Sequence, residues 1–339
     1  MSSSSISLCM IVKNEEDFIE RCLKSVYGIV QEIIIVDTGS TDRTSEICKK
    51  YGADVYSYSW NNHFADARNF GIAKAKGDWI LWLDADEKLD RSHEDLLIKA
   101  IQNPTATMYY LPVINYYGKS FPVDKEKSFI YYQPRLFQNH KGIQFYNRIH
   151  ETPLFPDVND SNYTTDYLEI PIHHYGYIEE LIAKRKKADR NLQLIEEEYK
   201  NPEHSPWIEY HLAYEYYRRG DYQKAFDYLN ESIFRFLLNS IKPPSILYRL
   251  KYGILIDTNS LDNALEGIEK AIVLYPDYVD LHFIKGYILF QKKKVEEALD
   301  SFEKCLELGE HNPKYLILRG TGSFMAEKYK KLCLEKIQK

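Results

Sequence analysis

Cysteine is scarce and scattered in this chain. The five present, Cys9, Cys22, Cys48, Cys305 and Cys333, are odd in number and show no CxxC spacing. That fits reduced thiols in a cytosolic protein better than a disulfide framework or a zinc site. No apolar run approaches the ~18 residues of a membrane helix, and the first five residues carry no basic, signal-like region. A cytoplasmic protein without a membrane span is therefore expected. An excess of basic charge is missing too. The chain has 44 Lys+Arg against 50 Asp+Glu, a net charge of −6, so no nucleic-acid footprint is expected. No GxGxxG follows an apolar strand, which argues against a dinucleotide-dependent dehydrogenase. No glycine-rich basic loop follows the first strand either, and a nucleotidyltransferase would want one.

What is present is a well-built globular chain. Its 339 residues are 44% hydrophobic, enough for two cored domains and too apolar for disorder. The first hundred residues alternate between two periodicities. Apolar strands are expected at 6–12, 32–37 and 54–60, and before Asp84 at 79–83. Helices are expected at 15–27, at 41–51 with Ser40 or Thr41 as N-cap, and at 64–75. Repeated strand–helix units imply an α/β domain with a mostly parallel sheet covered by helices on both faces. Beyond it, strands at 108–113, 129–132 and 167–172 alternate with turns, and a charged helix follows at 178–199.

Polar groups collect where the strands stop. Strand one ends in Lys13-Asn14-Glu15-Glu16 and strand two in Asp37-Thr38-Gly39-Ser40-Thr41-Asp42. The third helix carries Ala67-Arg68-Asn69, and the run Trp79–Leu83 stops abruptly on Asp84-Ala85-Asp86. In open α/β sheets the carboxyl ends of the strands face the ligand crevice. Two carboxylates there suit Mg²⁺ or Mn²⁺ carrying a diphosphate.

Together these segments resemble a known family. Ile-Val-Lys-Asn-Glu at 11–15, Ile-Val-Asp-Thr-Gly-Ser-Thr-Asp at 35–42 and Trp-Leu-Asp-Ala-Asp at 82–86 are similar to the motifs of family 2 glycosyltransferases. The resemblance implies the GT-A nucleotide-diphospho-sugar transferase fold. It also implies a metal-dependent, inverting transfer from a nucleotide-sugar donor, expected to be a UDP-sugar. Roles follow by position. Val12, Asn14 and Glu15 would frame the nucleotide, Asp37 would bond the base edge, and Arg68 would sit near the diphosphate. Asp84 would contact the ribose or the metal, and Asp86 would bind the divalent cation.

Later segments extend the resemblance. Arg135, in Gln133–Phe137, suits a phosphate clamp or a structural strand-edge position. Arg148-Ile149-His150-Glu151 looks like the family's acceptor-side element, with Glu151 the expected general base and His150 second. One of His173 and His174 is implied as a further metal ligand. His174 is preferred, although strand alternation alone leaves the choice open. The family's Gln/Arg-x-x-Arg-Trp run is absent, which argues against a processive polysaccharide synthase.

The last third repeats. Leu261, Ala264, Ile268, Ala271 and Pro276 recur in outline as Val295, Ala298, Phe302, Cys305 and Pro313, in step at 34 residues. An earlier copy around Tyr222, Ala225 and Leu229 lies 39 residues ahead, the surplus falling at Lys242-Pro243-Pro244. The pattern resembles tetratricopeptide repeats. The expected domains are therefore 1–177 (GT-A), 178–204 (linking helix) and 205–339 (helical repeats). This pairing is similar to the branch containing bacterial sublancin-type peptide S-glycosyltransferases. It implies a peptide or protein acceptor, with oxygen or a Cys thiol left open, and a homodimer through the repeats. The alternatives are a glycan or lipid-linked acceptor, or a silent repeat-based binding protein.

Overall fold

The computed structural model describes residues 4–157, 160–181 and 187–338. The chain divides into two compact units, Met1–Lys125 with Ile130–Arg185 and Glu126–Phe129 with Lys186–Lys339.

In the first unit β1 (Ile6–Val12), β2 (Glu32–Asp37), β3 (Asp54–Ser57) and β4 (Trp79–Trp82) pair in parallel, in the spatial order β3-β2-β1-β4. They are linked by α1 (Ile19–Val26), α2 (Thr44–Lys50) and α3 (Phe64–Ile72). Strand alternation explains the layering. Leu8, Met10 and Val12 pack with Ile19, Cys22 and Leu23 of α1, while Cys9 faces the other side with Ala65 of α3. With helices on both faces, these strands are buried almost throughout and read as continuous apolar runs.

The sheet continues through β7 (Ser128–Gln138), β6 (Met108–Gly118), β11 (Ile172–Ile178) and β5 (Glu87–Leu89), with β10 (Thr165–Tyr167) beside β6. Pairs β4–β7 and β11–β5 are antiparallel. The sheet is thus parallel over its first four strands and mixed beyond them, as expected of the more irregular half after residue 108. A separate hairpin joins β8 (Gln144–Tyr146) to β9 (Thr152–Leu154).

Several predicted bounds shift, for local reasons. The helix expected from residue 15 begins at Ile19, after a turn in which Phe18 N donates to Glu15 O (3.0 Å). Glu15 N donates to Thr44 Oγ1 (2.7 Å) and Glu16 N to Asp42 Oδ2 (3.1 Å). Neither Ser40 nor Thr41 opens the next helix. Thr41 N donates to Asn14 Oδ1 (2.7 Å), and Asp42 Oδ1 accepts from Thr44 N (2.9 Å). The strand expected at 167–172 is two strands, parted near Pro171, which has no N–H to give a ladder. Of the helix expected at 178–199, Ile178 instead ends β11, residues 182–186 lie outside the described residues, and a helix runs over Lys187–Tyr199.

The second unit is helical. Helices Trp207–Arg218 and Tyr222–Leu238 are followed by Ser245–Asp257 with Leu261–Leu274, then Val279–Gln291 with Val295–Leu308, and finally Phe324–Ile337. Ala225, Ala264 and Ala298 occupy equivalent positions at 0% exposure, where a larger side chain would push the paired helices apart. Among the described residues no helix is long and apolar enough to cross a membrane.

Candidate active site

Register brings the strand tips together. Val12 pairs directly with Asp37, and Cys9 with Trp82, so β1, β2 and β4 end along one edge. Val12 O accepts from Thr38 N (3.0 Å) and Thr38 Oγ1 (3.1 Å), which ties the first two tips. Asp37 Oδ1 accepts from Gly39 N (3.0 Å) and Ser40 N (2.7 Å); Oδ2 takes no part in that turn. The turn needs Gly39, whose φ is +103°. Asn14 sits in the left-handed region at φ +53°, its side chain holding Thr41. Glu15 is buried beneath it.

Beneath the tip of β4 lies a stacked cationic layer. The Arg135 guanidinium is centred 3.7 Å from the Trp82 ring, and that of Arg68 4.4 Å from it. Trp82 is fixed by its Nε1–H, which donates to Pro134 O at 2.6 Å. Arg68 is 7% exposed and joins two carboxylates, with Nη2 donating to Asp84 Oδ1 (2.9 Å) and Nε to Glu151 Oε1 (2.6 Å). The phosphate clamp expected of Arg135 is turned inward. Arg135 is 3% exposed, and its Nη2 donates to Glu87 Oε1 (2.6 Å) and Gln133 Oε1 (2.7 Å). Desolvation raises the Asp84 carboxyl pKa, but Arg68 and then Arg135 outweigh it and hold it below the ordinary range. Asp84 therefore remains charged. Arg68→Met would leave Asp84 and Glu151 without their shared cation. The expected loss is about 3 kcal/mol of stability, read from the urea midpoint. An unchanged midpoint would show the bridge to be dispensable.

Asp86 and His174 lie next to this layer. Asp86 is 8% exposed. His174 lies opposite Glu87 on β5 and Asn115 on β6, and its Nε2 is 3.7 Å from Asp86 Oδ1. Asn115 Nδ2 donates to Val113 O (3.0 Å), which leaves Asn115 Oδ1 to accept from His174 Nδ1 (2.7 Å). That hydrogen bond leaves Nε2 facing Asp86, the usual support of a metal-ligating imidazole. Burial disfavours a charged His174, yet Asp86 outweighs it and raises the pKa. The local field thus favours positive charge at this spot. His173 faces away, toward Tyr116 Oη (2.9 Å) and Asp90 Oδ2 (3.3 Å). Asp84 points to Arg68, so among the described residues no group of three or more His, Cys, Asp or Glu converges on one metal position.

Gly176 keeps this space open. A Cβ there would fall 2.5 Å from His174 Nε2 and 2.9 Å from Asp86 Oδ2. The donor set and the cradle fit a divalent cation that takes its remaining ligands from a bound phosphate. Gly176→Ala is expected to weaken Mn²⁺ binding at least tenfold by titration calorimetry, with the melting temperature little changed. Equal affinity would remove the pair from consideration as a cation site.

Glu151 and His150 belong to the β8–β9 hairpin. Asn69 pins the hairpin to α3, its Nδ2 donating to Phe145 O (2.9 Å) and its Oδ1 accepting from Phe145 N (2.8 Å). Glu151 is about 10% exposed at its side chain and reaches Arg68. His150 is exposed and left-handed at φ +56°, in the turn before it. Trp82, Glu87, Asn115, Asn69 and Gly176 received no role from the sequence. Glu87 was the most accessible of these, being the next residue after Asp86.

Residues 7–157 match the family model for glycosyl transferase family 2, and residues 279–311 that for a tetratricopeptide repeat. A TPR repeat-containing protein of Synechococcus elongatus is 30% identical over 275 residues, covering 79% of this chain and 66% of that protein. The SPbeta prophage-derived glycosyltransferase SunS of Bacillus subtilis is 26% identical over 291 residues, covering 84% and 66%. This chain therefore spans 66% of the length of each of these relatives. A crystal structure of S. aureus TarS 1–349 in complex with UDP-GlcNAc is 14% identical with a TM-score of 0.44, covering 78% of this chain and 92% of that one. That likeness is too distant to argue from.

Proposed function

From the match of residues 7–157 to the glycosyl transferase family 2 model, with a tetratricopeptide-repeat match at residues 279–311, we propose that this chain moves a sugar from a nucleoside diphosphate donor, UDP-linked, to a peptide or protein acceptor. The observation that carries the reading is the meeting of Asp86 with His174 beside the strand tips of Val12, Asp37 and Asp84.

In this reading Asp37 and Asn14 orient the nucleotide, and Glu15 and Val12 hold their loops in place. Asp86 and His174 would hold a Mg²⁺ or Mn²⁺ ion. When bound, that ion neutralises charge on the departing diphosphate. Arg68 and Arg135 keep Asp84 ionised, Arg68 also bridges Asp84 to Glu151, and Arg135 pairs with Glu87. The acceptor attacks the anomeric carbon opposite the diphosphate. The new bond forms as the carbon–oxygen bond to the diphosphate breaks, and Glu151 takes the acceptor proton. A Cys thiol is the finer proposal for the acceptor. A thiol ionises near pH 8.5 and needs less help from a base than a hydroxyl does.

The test is a panel of nucleotide-sugars incubated with the protein and Mn²⁺. Slow release of UDP from one sugar is expected. If no donor is hydrolysed and none raises the melting temperature, the reading should be dropped.

A further inference from the structure

Glu151 stands in a connection rather than in a strand. Tyr146 pairs with Thr152 across the β8–β9 hairpin, so residues 147–151 join the strands and Glu151 is the last of them. Strands of three residues do not hold such a connection rigid by themselves. Its backbone is also costly to hold. Asn147 (φ +74°) and His150 (φ +56°) lie in the left-handed region without being glycine, as does Asn62 (φ +61°) in the loop before α3. Such conformations persist where neighbouring contacts impose them, and they gather at functional sites.

Arg148 makes contacts of that kind. Its O accepts from the N–H of Phe64, the first residue of α3 (2.9 Å), and its Nε donates to Asn62 O (2.8 Å). The loop it grips is itself fixed. His63 caps α3, its Nδ1 accepting from Asp66 N (3.2 Å), and Asn61 Nδ2 donates to Asp66 Oδ2 (2.8 Å). One helix and the loop leading into it therefore hold the hairpin at three places: through Arg148, through Arg68 on Glu151 and through Asn69 on Phe145. The Arg68 bond fixes Glu151 Oε1. Where the other carboxylate oxygen points follows from the backbone at residues 150 and 151, which the Arg148 grip sets. Ile149, 4% exposed, gives the turn a separate apolar anchor.

We propose that Arg148 is a positioning residue: it clamps the hairpin turn to the loop before α3 and so aims Glu151 at the acceptor. The inference rests on the reading of Glu151 as the general base and adds to it the residue that holds the base in place.

The test compares variants of the full chain, with Mn²⁺ and the UDP-sugar hydrolysed fastest in the panel above, water standing in for the acceptor. Arg148→Gln should lower kcat by about 10- to 100-fold, the cost of a reacting group displaced by about an ångström, with the KM for the donor unchanged. Arg148→Lys keeps one donor within reach of Asn62 O and should recover most of that loss. Glu151→Gln alone should be slow, and adding Arg148→Gln to it should cost less than about twofold more, because a misaimed base and an absent one are equivalent. A wild-type kcat in Arg148→Gln, a raised KM in place of a lowered kcat, or losses that multiply in the double variant would each overturn the inference. A general loss of stability would multiply in the same way, so the double variant separates aiming from folding. A full rate in Glu151→Gln would sink the base reading and this inference together. A slow Glu151→Gln beside a full-rate Arg148→Gln sinks this inference alone.

Discussion

Asp86→Asn is expected to lower kcat/KM by about 10³-fold with little change in melting temperature. Asn matches Asp in shape, so the packing around this nearly buried side chain survives. What disappears is one full negative charge beside His174 Nε2, 3.7 Å away. A cation that neutralises a leaving diphosphate supplies several kcal/mol to the transition state, and each ~1.4 kcal/mol is tenfold in rate. The loss should appear with saturating donor and be only partly restored by raising Mn²⁺. In wild-type protein, chelation should reproduce it and added Mn²⁺ should reverse it. Activity that persists at the wild-type level in Asp86→Asn, or in chelator, would remove the cation from the mechanism.

Glu151→Gln should cost 10²- to 10⁴-fold in transfer, the usual range for losing a positioned general base. Donor binding should be nearly unchanged, because the Gln carbonyl can still accept from Arg68 Nε, now 2.6 Å from Glu151 Oε1. The split between rate and affinity is the informative part. A fall in both together would make Glu151 a support for Arg68 and Asp84, and the base would have to be sought elsewhere. For a thiol acceptor the defect should shrink as pH rises past about 8.5, where the acceptor ionises unaided. For a hydroxyl acceptor it should persist.

The parts of the fold that follow from local pattern were legible in the sequence. Ile6–Val12, Glu32–Asp37 and Trp79–Trp82 are apolar runs that admit one reading, and Asp84-Ala85-Asp86 stands out because it ends one of them. The repeat spacing likewise placed helices at Leu261 and Val295. What stayed hidden depends on partners far apart in the chain. Nothing near Arg68 indicates that Glu151 will meet it from 83 positions away, or that Trp82 will lie against both Arg68 and Arg135. Arg135 looked like an outward clamp because its sequence neighbours are apolar on both sides. Its burial follows from Glu87, which period-two reasoning did not connect to it. The sheet's reversal at β5 was equally out of reach. Three residues carry no periodicity, and their direction is set by pairing with Ile172–His174.

That last pairing bears on how the chain folds. Apart from Arg68, the acidic tip at residues 84–87 is synthesised long before the groups that complement it. Arg135, Glu151 and His174 arrive roughly fifty to ninety residues later, and β5 has no strand partner until Ile172–His174 exist. Such long sequence separations make closure slow, because loop entropy must be overcome before the contacts reward it. Until then Asp86 lacks His174 and Glu87 lacks Arg135, and Leu81 on β4 lacks its antiparallel neighbour Leu136. A half-made first unit is therefore an open-edged, acidic sheet, exposed to mispairing and to proteases during synthesis. The same contacts that assemble the site late also make its formation a report that the whole first unit has closed.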